Sequence, residues 1–225
     1  MNHRRLAPIA LSALLLSAMA LTSSASAADF REVTFEASDG AAVYANLYGK
    51  GDSAVVLAHG RAFNKESWDA QAKELVKSGL LVLAIDFRGY GKSAGNGGYD
   101  AMHADLLGAV RYLRKNGARH VSIVGASMGG GAAAQASVRS SDGEIDRLIL
   151  LAGVPPTEPA KLKGRKLFIV SREDGFAPAI QKAFEQVPEP KQLVVLEGAA
   201  HAQHLFNTDQ SPKVMQLIRD WLTAE

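Results

Sequence analysis

Gly125-Ala126-Ser127-Met128-Gly129, followed by Gly130 and Gly131, sets a serine between a short apolar run and an alanine-rich stretch. A serine on a sharp strand-to-helix turn projects its hydroxyl clear of the backbone, and glycines at 125 and 129 avoid collisions there. The hydroxyl becomes a useful nucleophile only when a base takes its proton, so a histidine is required. Beyond residue 27 the candidates are His59, His103, His120, His201 and His204. His103 falls inside an expected helix and His120 begins an expected strand at the wrong end. His201 follows the last apolar run in Glu197-Gly198-Ala199-Ala200-His201, with His204 three residues on. We favour His201 because it sits nearer the strand. His201-x-x-His204 also has the spacing of a metal pair, but no third ligand is close in sequence.

The base in turn needs an acid to hold its tautomer and stabilise the imidazolium. Asp174, in Ser171-Arg172-Glu173-Asp174-Gly175, ends another apolar run, and Glu173 is its alternative. Charge developing on a carbonyl oxygen calls for backbone N–H donors. Met128, directly after the serine, supplies one. Arg61, in His59-Gly60-Arg61-Ala62, supplies the other, with Ala62 as the substitute and His59 as an anchor of the loop. Arg61, Phe63, Met128, Phe176, His204 and Phe206 are candidates to line the pocket. Together these residues describe acyl transfer through a covalent intermediate, with no cofactor and no metal.

Such groups must be carried by elements that end in one place. Segments 31–37 and 42–48 alternate about Ser38-Asp39-Gly40 and read as a β-hairpin. The runs 54–58, 80–85, 121–124, 148–151, 167–170 and 193–196 are continuously apolar, as strands covered by helices on both faces must be. Helices are expected over 65–78, 100–116, 128–139, 178–186 and 212–223. The alternation predicts an α/β fold: a doubly wound, mostly parallel sheet of about eight strands with an antiparallel edge. In such sheets function gathers at the carboxyl ends of the strands, where Ser127, Asp174 and His201 all fall.

Four motifs now carry a family resemblance: Val55-Val56-Leu57-Ala58-His59-Gly60, Asp86-Phe87-Arg88-Gly89-Tyr90-Gly91-Lys92-Ser93, Gly125-Ala126-Ser127-Met128-Gly129, and Asp174 with His201 in that order. The chain resembles an α/β-hydrolase across nearly all of residues 31–225. The segment from Asp86 resembles the branch holding monoacylglycerol lipases, serine aminopeptidases and small carboxylesterases. The resemblance implies a serine hydrolase of carboxylic esters, with a small-substrate peptidase or amidase, or a non-catalytic binder on the same scaffold, as alternatives. Many such proteins carry a helical cap after the sixth strand. Here only residues 153–164 are available for one, and Pro155, Pro156 and Pro159 oppose a helix there. Ser127 is therefore expected to be covered only by the loops 61–64 and 95–99 and by Phe176. Gly91-Lys92-Ser93 echoes a phosphate loop, but Asp86 stands where that loop needs glycine.

Composition bounds the remaining possibilities. Hydrophobic residues are 47% and charged residues 21% of the 225, which suits a folded domain and excludes disorder. There is no cysteine, so disulfides, thiol catalysis and cysteine–metal sites are excluded. The formal charge is +2, supplied by Arg4 and Arg5, so the rest is balanced. A balanced domain has no bulk attraction for nucleic acid or an anionic membrane, and a small-molecule substrate is expected. Residues 1–27 read as an export signal: a basic start, an apolar run over 6–21, and Ala25-Ser26-Ala27 for cleavage. That run is shorter than the roughly 20 residues a membrane span needs. The expected product is residues 28–225, one hydrolase domain, exported to the periplasm or beyond and not inserted in a membrane.

Overall fold

A computed structural model of the chain describes Met1 and residues 29–93 and 98–224. The expected signal, apart from Met1, and residues 95–97 of the expected covering loop lie outside the described residues. The hairpin forms from β1 (Phe30–Glu36) and β2 (Ala42–Tyr48), in register from Phe30 opposite Tyr48 to Glu36 opposite Ala42. Six further strands follow: β3 (Ser53–Ala58), β4 (Leu81–Ile85), β5 (His120–Ala126), β6 (Arg147–Leu151), β7 (Arg165–Ser171) and β8 (Lys191–Leu196). They make an eight-stranded sheet in the order β1-β2-β4-β3-β5-β6-β7-β8. β2 runs antiparallel to β4, and every pairing from β4 to β8 is parallel. This is the expected α/β-hydrolase arrangement with its antiparallel edge.

The apolar runs are explained by burial. β3 through β7 are covered on both faces, whereas β8, at the edge, is largely half-buried. The cover comes from α1 (Asp69–Lys77), α2 (Met102–Lys115), α3 (Met128–Arg139), α4 (Ala177–Glu185) and α5 (Ser211–Thr223). Chain order reverses between β3 and β5: the chain leaves β3 for β4 on one side, then crosses to β5 on the other. The loops after β3 and β5 therefore diverge and open a crevice between them, the place where such sheets bind ligands.

The first expected helix, 65–78, is two pieces: a 3₁₀ turn, Lys65–Trp68, and then α1. Asn64 accepts from the Ser67 N–H, and Asp86 holds both the Lys65 N–H at 2.9 Å and its Nζ at 2.7 Å. Those bonds fix a tighter winding than an α-helix allows. The second, 100–116, likewise begins as a 3₁₀ turn, Tyr99–Ala101, before α2. Between β6 and β7 only a single 3₁₀ turn forms, Pro159–Lys161, and among the described residues no cap stands over the sheet.

Candidate active site

Ser127 lies between β5 and α3 with φ 49° and ψ −113°. This left-handed region is strained for any side-chain-bearing residue, at roughly 1–3 kcal/mol. The turn is held from both sides: Ser127 N–H donates to Leu151 O at 2.9 Å, and its carbonyl accepts from Val154 N–H at 3.0 Å and Gly131 N–H at 3.1 Å. A Cβ on Gly125 would stand 2.6 Å from Gly129 O, and one on Gly129 would stand 2.4 Å from Ala58 O. Both positions are closed to any larger residue, which lets α3 press directly onto the sheet.

The expected base and acid arrive at this hydroxyl. Ser127 Oγ lies 2.7 Å from His201 Nε2, and His201 Nδ1 lies 2.7 Å from Asp174 Oδ2. Asp174 Oδ1 accepts the Phe176 N–H at 2.8 Å, so both oxygens of this buried carboxylate are engaged as acceptors. That assigns the ring proton to Nδ1, leaving Nε2 free to accept from the serine. The acid and base loops are tied as well, by Ser171 Oγ donating to Ala200 O at 2.6 Å. Phe176 lays its ring against His201, with centroids 5.4 Å apart. Glu173 is exposed, and its N–H bonds to Gly198 O. His204 pairs its ring with Phe63 at 5.1 Å and makes no contact with Ser127 or Asp174 among the described bonds.

On the other side of the serine, the loop after β3 is fixed by His59, which is fully buried. His59 Nδ1 donates to Gly60 O at 2.8 Å, and Nε2 accepts the Phe87 N–H at 3.2 Å. Burial pushes its pKa down, so the ring stays neutral, as an anchor requires. Gly60 N–H donates to Gln203 Oε1 at 2.7 Å, and Phe63 N–H closes the turn on Gly60 O at 3.0 Å. The turn's remaining N–H donors are Arg61 and Ala62, the two considered from sequence. Met128 begins α3, where a helix's first N–H groups have no internal partner.

A cavity of about 420 Å³ opens beside Ser127, walled by Arg61, Met128 and Phe176 and also by Tyr99, Val154 and Met102. Phe63, His204 and Phe206 lie off that wall. Phe206 packs edge-on against the buried Trp68 at 5.8 Å, because the 3₁₀ turn Ala202–Asn207 rotates it toward the core. Sequence reasoning missed Gln203, Met102 and Val154, and reached Tyr99 only as the end of the covering loop 95–99. Val154 alone had a signal, since it follows the end of β6 at the carboxyl edge.

Comparison with known proteins places the chain in a family. Residues 49–173, more than half of the chain, match the family described as serine aminopeptidase, S33. That span includes Ser127 and stops one residue before Asp174. A non-heme haloperoxidase of Rhodococcus erythropolis is 35% identical over 64% of this chain and 52% of its own. A bifunctional esterase/perhydrolase of Acinetobacter calcoaceticus is 34% identical over 52% of this chain and 43% of its own. The chain thus spans about half the length of the curated relatives it matches. Among solved structures, an esterase of Exiguobacterium antarcticum superposes with a TM-score of 0.73 at 19% identity, covering 86% of this chain and all of that one. A dienelactone hydrolase of Anabaena variabilis gives 0.71 at 24%, over 86% and 97%. Identities this low speak for the fold alone. With the sheet order, the strained serine turn and the match over residues 49–173 in agreement, the chain belongs to the serine aminopeptidase S33 family of the α/β-hydrolase superfamily.

Proposed function

We propose that the protein is a serine hydrolase cleaving carboxylic esters of small molecules through an acyl-enzyme on Ser127. The observation that carries this reading is the pair of 2.7 Å contacts linking Ser127, His201 and Asp174. His201 Nε2 takes the Ser127 proton as Oγ attacks the ester carbonyl. The Met128 and Arg61 N–H groups bind the resulting oxyanion, and Asp174 stabilises the imidazolium. The imidazolium then gives its proton to the leaving alcohol. Water, deprotonated by the same nitrogen, attacks the acyl-enzyme, and the collapse returns Ser127 and releases the acid. Every proton moves through one ring nitrogen, and no cofactor takes part. The esterase named among the relatives supports this chemistry, and the sequence pattern of residues 2–27 makes an exported location part of the proposal.

The family's description favours a second reading, a peptidase or amidase of small substrates, since the same groups can act on an amide carbonyl. A fluorophosphonate probe and a substrate panel test both. Labelling of the wild type but not of Ser127→Ala, with turnover of phenyl acetate, is expected. Amide turnover exceeding ester turnover would favour the peptidase, and a wild type that neither labels nor turns over would remove the enzyme reading.

A further inference from the structure

The cations in the loops after β3 and β4 are neutralised, with one exception. Lys65 Nζ meets Asp86 and Glu66, each at 2.7 Å; Arg88 meets Asp39 at 2.7 Å and Asp105 at 2.6 Å; Lys92 meets Glu32 at 2.7 Å. Arg61 is exposed and makes no ion pair among the described residues. Its guanidinium instead lies over the Tyr99 ring, 5.8 Å from the centroid, on the wall of the cavity beside Ser127. Stacking of this kind holds the plane of the group while leaving its N–H edge free to donate.

Its neighbours extend the donor edge. The Tyr90 hydroxyl stands within hydrogen-bond reach of that of Tyr99, and Met128 Sδ, a weak acceptor, lies at 3.5 Å. Burial, with Tyr99 adding to it, pushes the Tyr90 pKa up, so the phenol remains a neutral donor. The rest of the cavity wall is mostly apolar, with Met102, Ala132, Val154 and Phe176 beside the one amide of Gln135. Tyr99, Val154 and Phe176 are 48%, 42% and 41% exposed, an apolar rim awaiting a cover.

Resting on the ester-hydrolase reading, we infer that the preferred substrate is an ester with an apolar body and a carboxylate, which the Arg61 guanidinium recognises with the Tyr90 and Tyr99 hydroxyls beside it. The guanidinium fork matches a carboxylate with two parallel hydrogen bonds. Asp100 also lines the cavity, but it is exposed and forms no ion pair with Arg61. Its charge opposes an anion, so removing it strengthens the preference.

Two isosteric pairs test this on the full chain: 4-acetoxybenzoate against 4-acetoxybenzamide, and monophenyl glutarate against its terminal amide. In at least one pair kcat/KM should favour the carboxylate about tenfold, through KM, as a charge-assisted hydrogen bond would give. Arg61→Gln should bring that ratio to about one, Arg61→Lys should restore part of it, and Asp100→Asn should raise it. Equal rates within both pairs, a ratio that survives Arg61→Gln, or a preference for cationic 4-acetoxybenzylamine would overturn the inference. Titration calorimetry with benzoate on the wild type and Arg61→Gln gives a readout independent of turnover. Tighter binding to the wild type supports the inference, and equal or absent binding overturns it. A wild type that neither hydrolyses phenyl acetate nor takes up the fluorophosphonate label would instead count against the ester-hydrolase reading.

Discussion

Gln203 accepts the Gly60 N–H on Oε1 at 2.7 Å while its Nε2 donates to Ser67 Oγ at 2.9 Å. One buried side chain, two residues past His201, therefore fixes the turn that carries the Arg61 and Ala62 N–H groups, the proposed oxyanion donors. Gln203→Leu leaves a buried N–H without a partner and lets the turn shift. A misplacement of about 1 Å is enough to lower kcat on the order of 100-fold, with KM changed far less. Gln203→Glu keeps an acceptor and should be milder. Steady-state kinetics on phenyl acetate decide, and equal loss in both variants would contradict this role for Oε1.

Two inactive variants separate chemistry from strain at Ser127. On the proposed role of Ser127 as nucleophile, Ser127→Ala should lower kcat by about 10⁶-fold. Ser127→Gly should be equally inactive, yet glycine occupies φ 49° without steric penalty. After the extra chain entropy of glycine is subtracted, about 1 kcal/mol of relief remains, raising Tm by roughly 2–4 °C over the alanine variant. Calorimetric melting of the pair gives the answer; a glycine variant that melts lower would mean the turn is unstrained.

The neighbours of the proposed acid and base are natural controls. His201→Ala should approach the serine variant in severity, and Asp174→Asn should lower kcat by about 10⁴. Glu173→Gln and His204→Ala should stay within about tenfold of wild type, since neither side chain touches the relay. A silent His204→Ala beside an active His201→Ala would exchange the two roles.

Acid sensitivity is expected at the hairpin turn. Arg88 donates to Asp39 through both terminal nitrogens, at 2.7 and 2.9 Å, and the hydrogen bonds from Arg88 lower the Asp39 pKa from 3.8 to about 2. A folded-state pKa below the unfolded one stabilises the protein above pH 4, and that contribution disappears as pH falls through 2. The carboxylate is 45% exposed, which keeps its contribution below about 1 kcal/mol. Urea melts of wild type and Asp39→Asn should differ at pH 6 and converge between pH 4 and pH 2; a constant gap across that window would exclude this linkage.

The missing cap bears on acyl length. With Ser127 in an open cavity of about 420 Å³, little wall exists to bury a long chain at about 0.8 kcal/mol per CH₂. Nitrophenyl esters from acetate to palmitate should peak at butyrate or shorter, without a jump in rate above the solubility limit. A maximum at palmitate, or a sharp rise at that limit, would point to a lipase.

The arrangement of Ser127, Asp174 and His201 was legible because each follows an apolar run long enough to read as a buried parallel strand. Strand ends in such a sheet share one edge, so position along the chain translated directly into position in space. The wall of the cavity was legible only in part. Phe206 carries the residue type of a pocket lining, but a 3₁₀ turn aims it at Trp68, and so short a change of winding leaves no mark in hydrophobic spacing. Lys65–Trp68 was read as α-helix because its tighter winding depends on Asp86, a partner 21 positions away. Gln203 was invisible for the same reason, since its partner Gly60 is 143 positions distant.

His201 follows β8, an edge strand that joins the sheet only through β7. On the proposed mechanism, a chain that has seated β3 to β7 but not β8 displays Ser127 and Asp174 and still lacks the base. Chain order would thereby act as a safety catch: a copy whose outermost strand is not yet docked has no imidazole beside Ser127 and cannot attack esters around it.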